Sequence, residues 1–403
     1  MKELKAAFKS RFVRISLLSM IATVLIFILL PPDINALVYK GYVYPVIRTL
    51  LNYTFGLFPF PSVFFVIAFF ALVLLSISVI AFKSKSWAWG ISRLTGLLCL
   101  IITIFFWVWG FHYNNPILVE QPHLSEYHIN KEQVLRTFKR AEALREGIRE
   151  DSISPVWPAT AVSLVQDSGR IWLKKAIHLL GDQSTTASNR VRSWPKGFII
   201  RWGIVGMYFP FSGEATVDAG LHAIRFPSTT LHEWAHSMGY TNEGDCNLLA
   251  YLAAQYSSDT FIRYSAEIER LREELYLVAM QNYPLYETLK PLIPEKISRD
   301  LSAIQRYHAR YKGKLADVGN WINDQYLKTL SGDNGIDEYW LWVLKLNLIE
   351  DGKIKTYQAP PNGSGFHSGC PLPEKFRSAR SSVLPLVRAT PARRIPADNT
   401  TEV

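Results

Sequence analysis

Residues 229–239 read Thr229-Thr230-Leu231-His232-Glu233-Trp234-Ala235-His236-Ser237-Met238-Gly239. Two histidines four apart on a helix project from one face, so a single metal ion can bind both imidazoles. Glu233 stands beside the first of them, where a carboxylate can take a proton from an attacking water and pass it to a leaving group. The flanks agree with a short helix. Pro227, Ser228 and Thr229 supply start signals, and Gly239 offers the left-handed residue that ends a helix three positions after His236.

Working outward, residues 197–218 (GFIIRWGIVGMYFPFSGEATVD) are β-branched and aromatic with Gly and Pro punctuation, which predicts two or three short strands. Ser212 to Asp218 is expected as the edge strand beside the motif helix, with Glu214 and His222 lining a substrate cleft. Helical periodicity predicts helices over 130–147 (Asn130 as N-cap), 159–180, 229–238, 246–256, 260–280, 294–311, 317–330 and 339–348. The expected class is α+β, a mainly helical zincin-like domain with a small sheet.

A zincin needs a third ligand. The metzincin pattern wants His or Asp six residues after His236, and that residue is Asn242, so that subclass is disfavoured. The gluzincin pattern takes a Glu from the next helix, with a partner four residues later to orient a ligand. Glu243 and Asn247 have that spacing. Asp245 is the alternative ligand, and residues two apart on a helix diverge, so only one of the two acids reaches the metal. Away from a metal, either acid suits a helix N-terminus. Tyr208, Tyr240 and Tyr326 are candidates for stabilising an oxyanion, with nothing in the sequence to choose among them.

Composition places this motif outside a membrane. Of 403 residues 49% are hydrophobic, and three runs near the N-terminus, at about 15–30, 63–82 and 94–111, approach the ~20 residues needed to cross hydrocarbon. Residues 1–111, read as the anchor, hold 10 Lys+Arg against 2 Asp+Glu, while residues 112–403 hold 34 against 32. Basic excess confined to short segments beside apolar runs argues for membrane orientation and against nucleic acid. Lys2, Lys5, Lys9, Arg11 and Arg14 precede the first run, and Lys83, Lys85 and Arg93 separate the second from the third. The expected topology therefore has a cytoplasmic N-terminus and everything after Phe111 outside, with residues 112–356 as the catalytic domain. Residues 357–403 are rich in Pro, Arg and Ser without periodicity, and disorder is expected there. Three cysteines, Cys99, Cys246 and Cys370, make no disulfide framework.

The chain resembles a family of uncharacterised bacterial membrane proteins that join an N-terminal multi-helix anchor to an H-E-x-x-H domain, a domain of unknown function. The resemblance rests on Tyr42-Val43-Tyr44-Pro45, Phe209-Pro210-Phe211-Ser212-Gly213-Glu214-Ala215, residues 232–239 and Asn323-Asp324-Gln325-Tyr326-Leu327-Lys328. It implies a zinc-peptidase-like domain outside the cytoplasm. Relatives read E-x-E-A-N-F where this chain has Glu243-Gly244-Asp245-Cys246-Asn247-Leu248, and the shorter Asp245 tells against an essential ligand there. The match to the E-x-x-x-D second helix of membrane gluzincins supports Glu243.

The expected function is hydrolysis of peptide bonds in an envelope protein or peptide, with Zn2+ on His232, His236 and Glu243 and with Glu233 as base and then acid. The alternatives are an inactive envelope domain that binds a partner, and a zinc hydrolase of non-peptide cell-wall amides.

Overall fold

The computed structural model describes residues 10–119, 128–150, 157–183, 186–311, 313–331 and 338–351. The tail expected to be disordered lies outside these residues. The protein is mostly helical, with one three-stranded sheet and three apolar N-terminal helices.

Helices α1 (Arg11–Leu29), α3 (Val63–Lys83) and α4 (Trp87–Val108) are long and apolar enough to cross a membrane, and they mark the chain as a membrane protein. At 1.5 Å per residue, the 21 residues of α3 span about 30 Å, the hydrocarbon thickness. Gly96 on α4 lets α1 approach closely, since a Cβ there would lie 2.5 Å from the Phe12 ring. The Trp107 indole donates to Thr23 across the same pair at 3.2 Å.

Residues 31–62, between the first two apolar helices, are themselves largely helical. One turn (Pro32–Asn35) leads into a π-helical stretch (Ala36–Val43) and then α2 (Tyr44–Tyr53). This helix buries a polar stripe: Tyr44, Arg48 and Asn52 face inward at fourfold spacing. Arg48 donates to Asn52 Oδ1 (2.9 Å) and to the Tyr208 hydroxyl (3.2 Å), and Asn52 donates to the Ala187 carbonyl (3.0 Å). Hydrogen bonds thus hold the segment to the extramembrane body where an amphipathic helix would use apolar contacts.

That body comprises α5 (Lys131–Glu146), α6 (Ala159–Leu179), β1 (Val191–Trp194), β2 (Gly206–Phe209), β3 (Glu214–Asp218), α7 (Phe226–Ser237), α8 (Glu243–Ala254), α9 (Thr260–Gln281), α10 (Tyr283–Leu289), α11 (Glu295–Ala309), α12 (Lys314–Ser331) and α13 (Glu338–Glu350). Asn130 caps α5 in a capping box with Gln133. The motif helix α7 is buried at every position. Gly169 of α6 makes room for Trp234, whose ring a Cβ would approach to 2.7 Å. Gly239 ends the helix at φ 94°, a left-handed conformation that costs glycine nothing.

The strand order is β1-β3-β2, with β1 parallel and β2 antiparallel to β3. This corrects one expectation. Residues 214–218 of that stretch are the central strand, all five residues of β3 being buried, and the sheet edges belong to β1 and β2. Residues 206–218 hold two of the two or three strands expected, and residues 197–203 form turns in which the Asp218 carboxylate gathers the amides of Gly197, Ile199, Ile200 and Gly220 at 2.6–3.1 Å. Four donors on one carboxylate bend the backbone away from a ladder.

Candidate metal centre and its cleft

On α7, one turn of helix brings His232 Nε2 to 3.1 Å from His236 Nε2. The following helix, whose N-terminus Asn242 caps through the Asp245 amide, delivers Glu243 Oε2 to 3.1 Å and 3.4 Å from the same two nitrogens. The outer ring nitrogens fix the protonation. His232 Nδ1 meets Asn247 Oδ1 at 2.7 Å and His236 Nδ1 meets the Tyr240 carbonyl at 2.8 Å. Both partners are acceptors, so each Nδ1 carries a proton, and a neutral ring then presents its lone pair at Nε2. With both rings neutral, three lone pairs converge at one point, and the buried Glu243 Oε2 receives no hydrogen bond. Such an arrangement is repulsive unless a cation fills it. Its edges match a tetrahedron with ligand bonds of about 2.0–2.2 Å, whose corners stand about 3.3 Å apart. Among the described residues, His232, His236 and Glu243 are the one group of this kind.

Asp245 is committed elsewhere. It pairs with the fully buried Lys345 at 2.6 Å and accepts from the Leu118 amide at 2.9 Å. Asn247 holds the orienting position expected of it, and its amide also donates to the Tyr339 carbonyl at 3.0 Å. Tyr339, which no spacing in the sequence singles out, lays its ring nearly parallel to His232 at 6.3 Å on the wall of the same cavity as Glu243 and Asn323.

Glu233 lies against β2. A Cβ on Gly206 would come within 2.6 Å of Glu233 Oε1, and Oε2 is buried without a partner. Burial raises the Glu233 carboxyl; His232 and His236 pull it down and Glu243 pushes it up, leaving it at about 7. Burial would also raise Glu243, but the two imidazoles outweigh it and hold that carboxyl well below the usual range. The two acids are thus driven apart, one to stay ionised and one to exchange a proton near neutrality. Gly206→Ala is expected to leave bound metal unchanged while displacing Glu233. A misplacement of about 1 Å is worth about 10²-fold in rate, which paired metal and kcat measurements on the variant would check.

A cavity of about 720 Å³ opens over this cluster, walled by Gly206 to Pro210, His232, Glu233, Tyr326, Tyr339 and Trp109. Of the three candidate tyrosines, Tyr208 turns its hydroxyl to Tyr44 and Arg48, and Tyr240 donates to Asp182 at 2.8 Å. Tyr326 remains. It accepts from Tyr113 (2.9 Å), so its own proton points elsewhere, and it lines the same cavity as His232, Glu233 and Glu243. The two residues expected in the cleft are not there. Glu214 is buried at the sheet's far end, where it accepts from Ser62 and Val63 at the start of α3 and pairs with Arg192. His222 caps the Ala223–Arg225 turn against Tyr307, and burial lowers its pKa to about 4.

A protein-family profile described as "Protein of unknown function (DUF3810)" matches residues 39–346. No curated protein and no solved structure matches the chain.

Proposed function

This chain belongs to the DUF3810 family of unknown function, and we propose that it is a membrane-anchored zinc metallopeptidase of the gluzincin type. The observation that carries the reading is the convergence of His232, His236 and Glu243 lone pairs beside an unpartnered, buried Glu233. Two imidazoles and a carboxylate at tetrahedral spacing suit Zn2+, which when bound supplies a Lewis acid for the carbonyl and lowers the pKa of water.

The chain's own groups supply the rest. Asn247 and the Tyr240 carbonyl hold the two histidines in register. Glu233 takes a proton from the attacking water and gives it to the departing amine, for which a pKa near 7 is well matched at neutral pH. Tyr326 donates to the oxygen that becomes negative as the carbonyl is attacked. The free edge of β2 offers backbone groups to an extended peptide. Basic residues before α1 and between α3 and α4 orient the N-terminus to the cytoplasm and this domain to the outside.

The test is hydrolysis of a fluorogenic random-peptide pool by the full chain in detergent, before and after 1,10-phenanthroline and after restoring Zn2+. Cleavage that disappears with the chelator and returns with Zn2+ is expected. A zinc-loaded chain that cuts nothing would point to a partner-binding domain.

A further inference from the structure

The cleft reaches the end of α4, one of the helices long and apolar enough to span a membrane. Trp109 immediately follows α4, and its ring lies 6.1 Å from His236 and 4.7 Å from Tyr208. Phe105, one turn further down the same spanning helix, also lines the cavity. At about 3.3 Å per extended residue, the distance from Trp109 to the metal ligand is about two residues of chain.

The β2–β3 hairpin carries this further. Gly206, at one end of β2, touches Glu233, and Phe209 at the other touches Phe211 at 5.8 Å. Phe211, at the turn, packs 6.1 Å from Phe70 of α3 and 6.4 Å from Phe105 of α4. Phe70 is seven residues into its helix, about 10 Å below the helix end. The edge strand β2 therefore runs from the catalytic base to a turn whose Phe211 packs against two spanning helices.

The opposite wall follows the same level. Asn320, Asn323 and Tyr326 of α12 face the cavity, while Leu315, Val318 and Trp321 are 47–64% exposed. This helix is tied to the end of α4 through the Tyr326–Tyr113 hydroxyl pair. It also packs on Trp202, near Phe198, which touches Phe64 at the head of α3 (6.4 Å). An exposed apolar helix face bridging the heads of two spans belongs in the bilayer interface.

Resting on the peptidase reading, we propose that the substrate is a polypeptide anchored in the same bilayer and cut within a few residues of where it leaves the hydrocarbon. Such a chain adds to β2 as it emerges, and the strand leads it to Glu233. A soluble peptide gains nothing from the submerged half of that edge.

The experiment uses the full chain in liposomes with three reporters. A randomised segment follows a single-span anchor directly, follows it behind a Gly/Ser spacer of about thirty residues, or is free in solution; the spacer puts it about 30 Å from the surface. The expected result is juxtamembrane cleavage at least about tenfold faster than the other two, with cuts within about five residues of the span. Equal rates for all three would overturn the proposal and leave the peptidase reading standing. No Glu233-dependent cleavage of any form would remove both. A second readout needs no activity: a nitroxide on Val318→Cys is expected to be more accessible to oxygen than to a water-soluble nickel complex. The reverse would place α12 in water and overturn the proposal.

Discussion

Glu233→Gln is expected to keep about one metal per chain and lower peptide hydrolysis by about 10²–10⁴-fold, the range for loss of a general base. The two properties separate because the ligands do not lean on Glu233. His232 is oriented by Asn247 and His236 by the Tyr240 carbonyl, and Glu243 comes from a separate helix, α8. The amide matches the carboxylate in shape, so the contact with Gly206 survives, but it cannot accept the water's proton. Steady-state rates with metal content measured on the same sample check this. A variant within about threefold of the natural chain would mean that the base lies elsewhere and that the assignment of Glu233 is wrong.

The second large effect is on stability. Arg270→Ala is expected to cost about 3–5 kcal/mol, the cost of breaking a buried ion pair by removing one partner. Arg270 is fully buried on α9 and donates to Glu274 (2.8 Å), to both oxygens of Glu350 (2.8 and 3.1 Å), to Asn347 (2.8 Å) and to the Tyr251 hydroxyl (3.2 Å). The substitution strands Glu274, itself fully buried, and unpins α13, the helix that brings Tyr339 to the cavity wall and Lys345 to Asp245. Arg270→Lys retains the charge but cannot span the same fork of acceptors, so partial recovery is expected. Denaturant unfolding of the detergent-solubilised chain reads both. A loss below about 1 kcal/mol for Arg270→Ala would show that the network contributes little.

The metal cluster was legible in the sequence to the extent that it is local. His232, Glu233, His236 and Asn247 follow from fourfold helical spacing, and Gly239 from the need to end α7. Glu243 was favoured over Asp245 by its spacing to Asn247, but the contact that holds Asp245 away is not local. It is made by Lys345, 100 residues beyond Asp245, within an apolar run whose pattern announces only a buried helix. Tyr339 is hidden for the same reason. The fold before the second span was illegible for a different one. A helix is recognised by an apolar stripe, and α2 turns Arg48 and Asn52 inward. Strand order also escaped, because a five-residue run buried on both faces carries no alternation to separate a central strand from an edge.

The central claim is that His232, His236 and Glu243 hold the metal and Asp245 does not. Elemental analysis of the purified full chain, beside His232→Ala, Glu243→Ala and Asp245→Asn, tests it most directly. The prediction is about one Zn2+ in the natural chain and in Asp245→Asn, and loss in the other two. A folded natural chain that stays free of metal after incubation with Zn2+, or metal kept by Glu243→Ala and lost by Asp245→Asn, would contradict it.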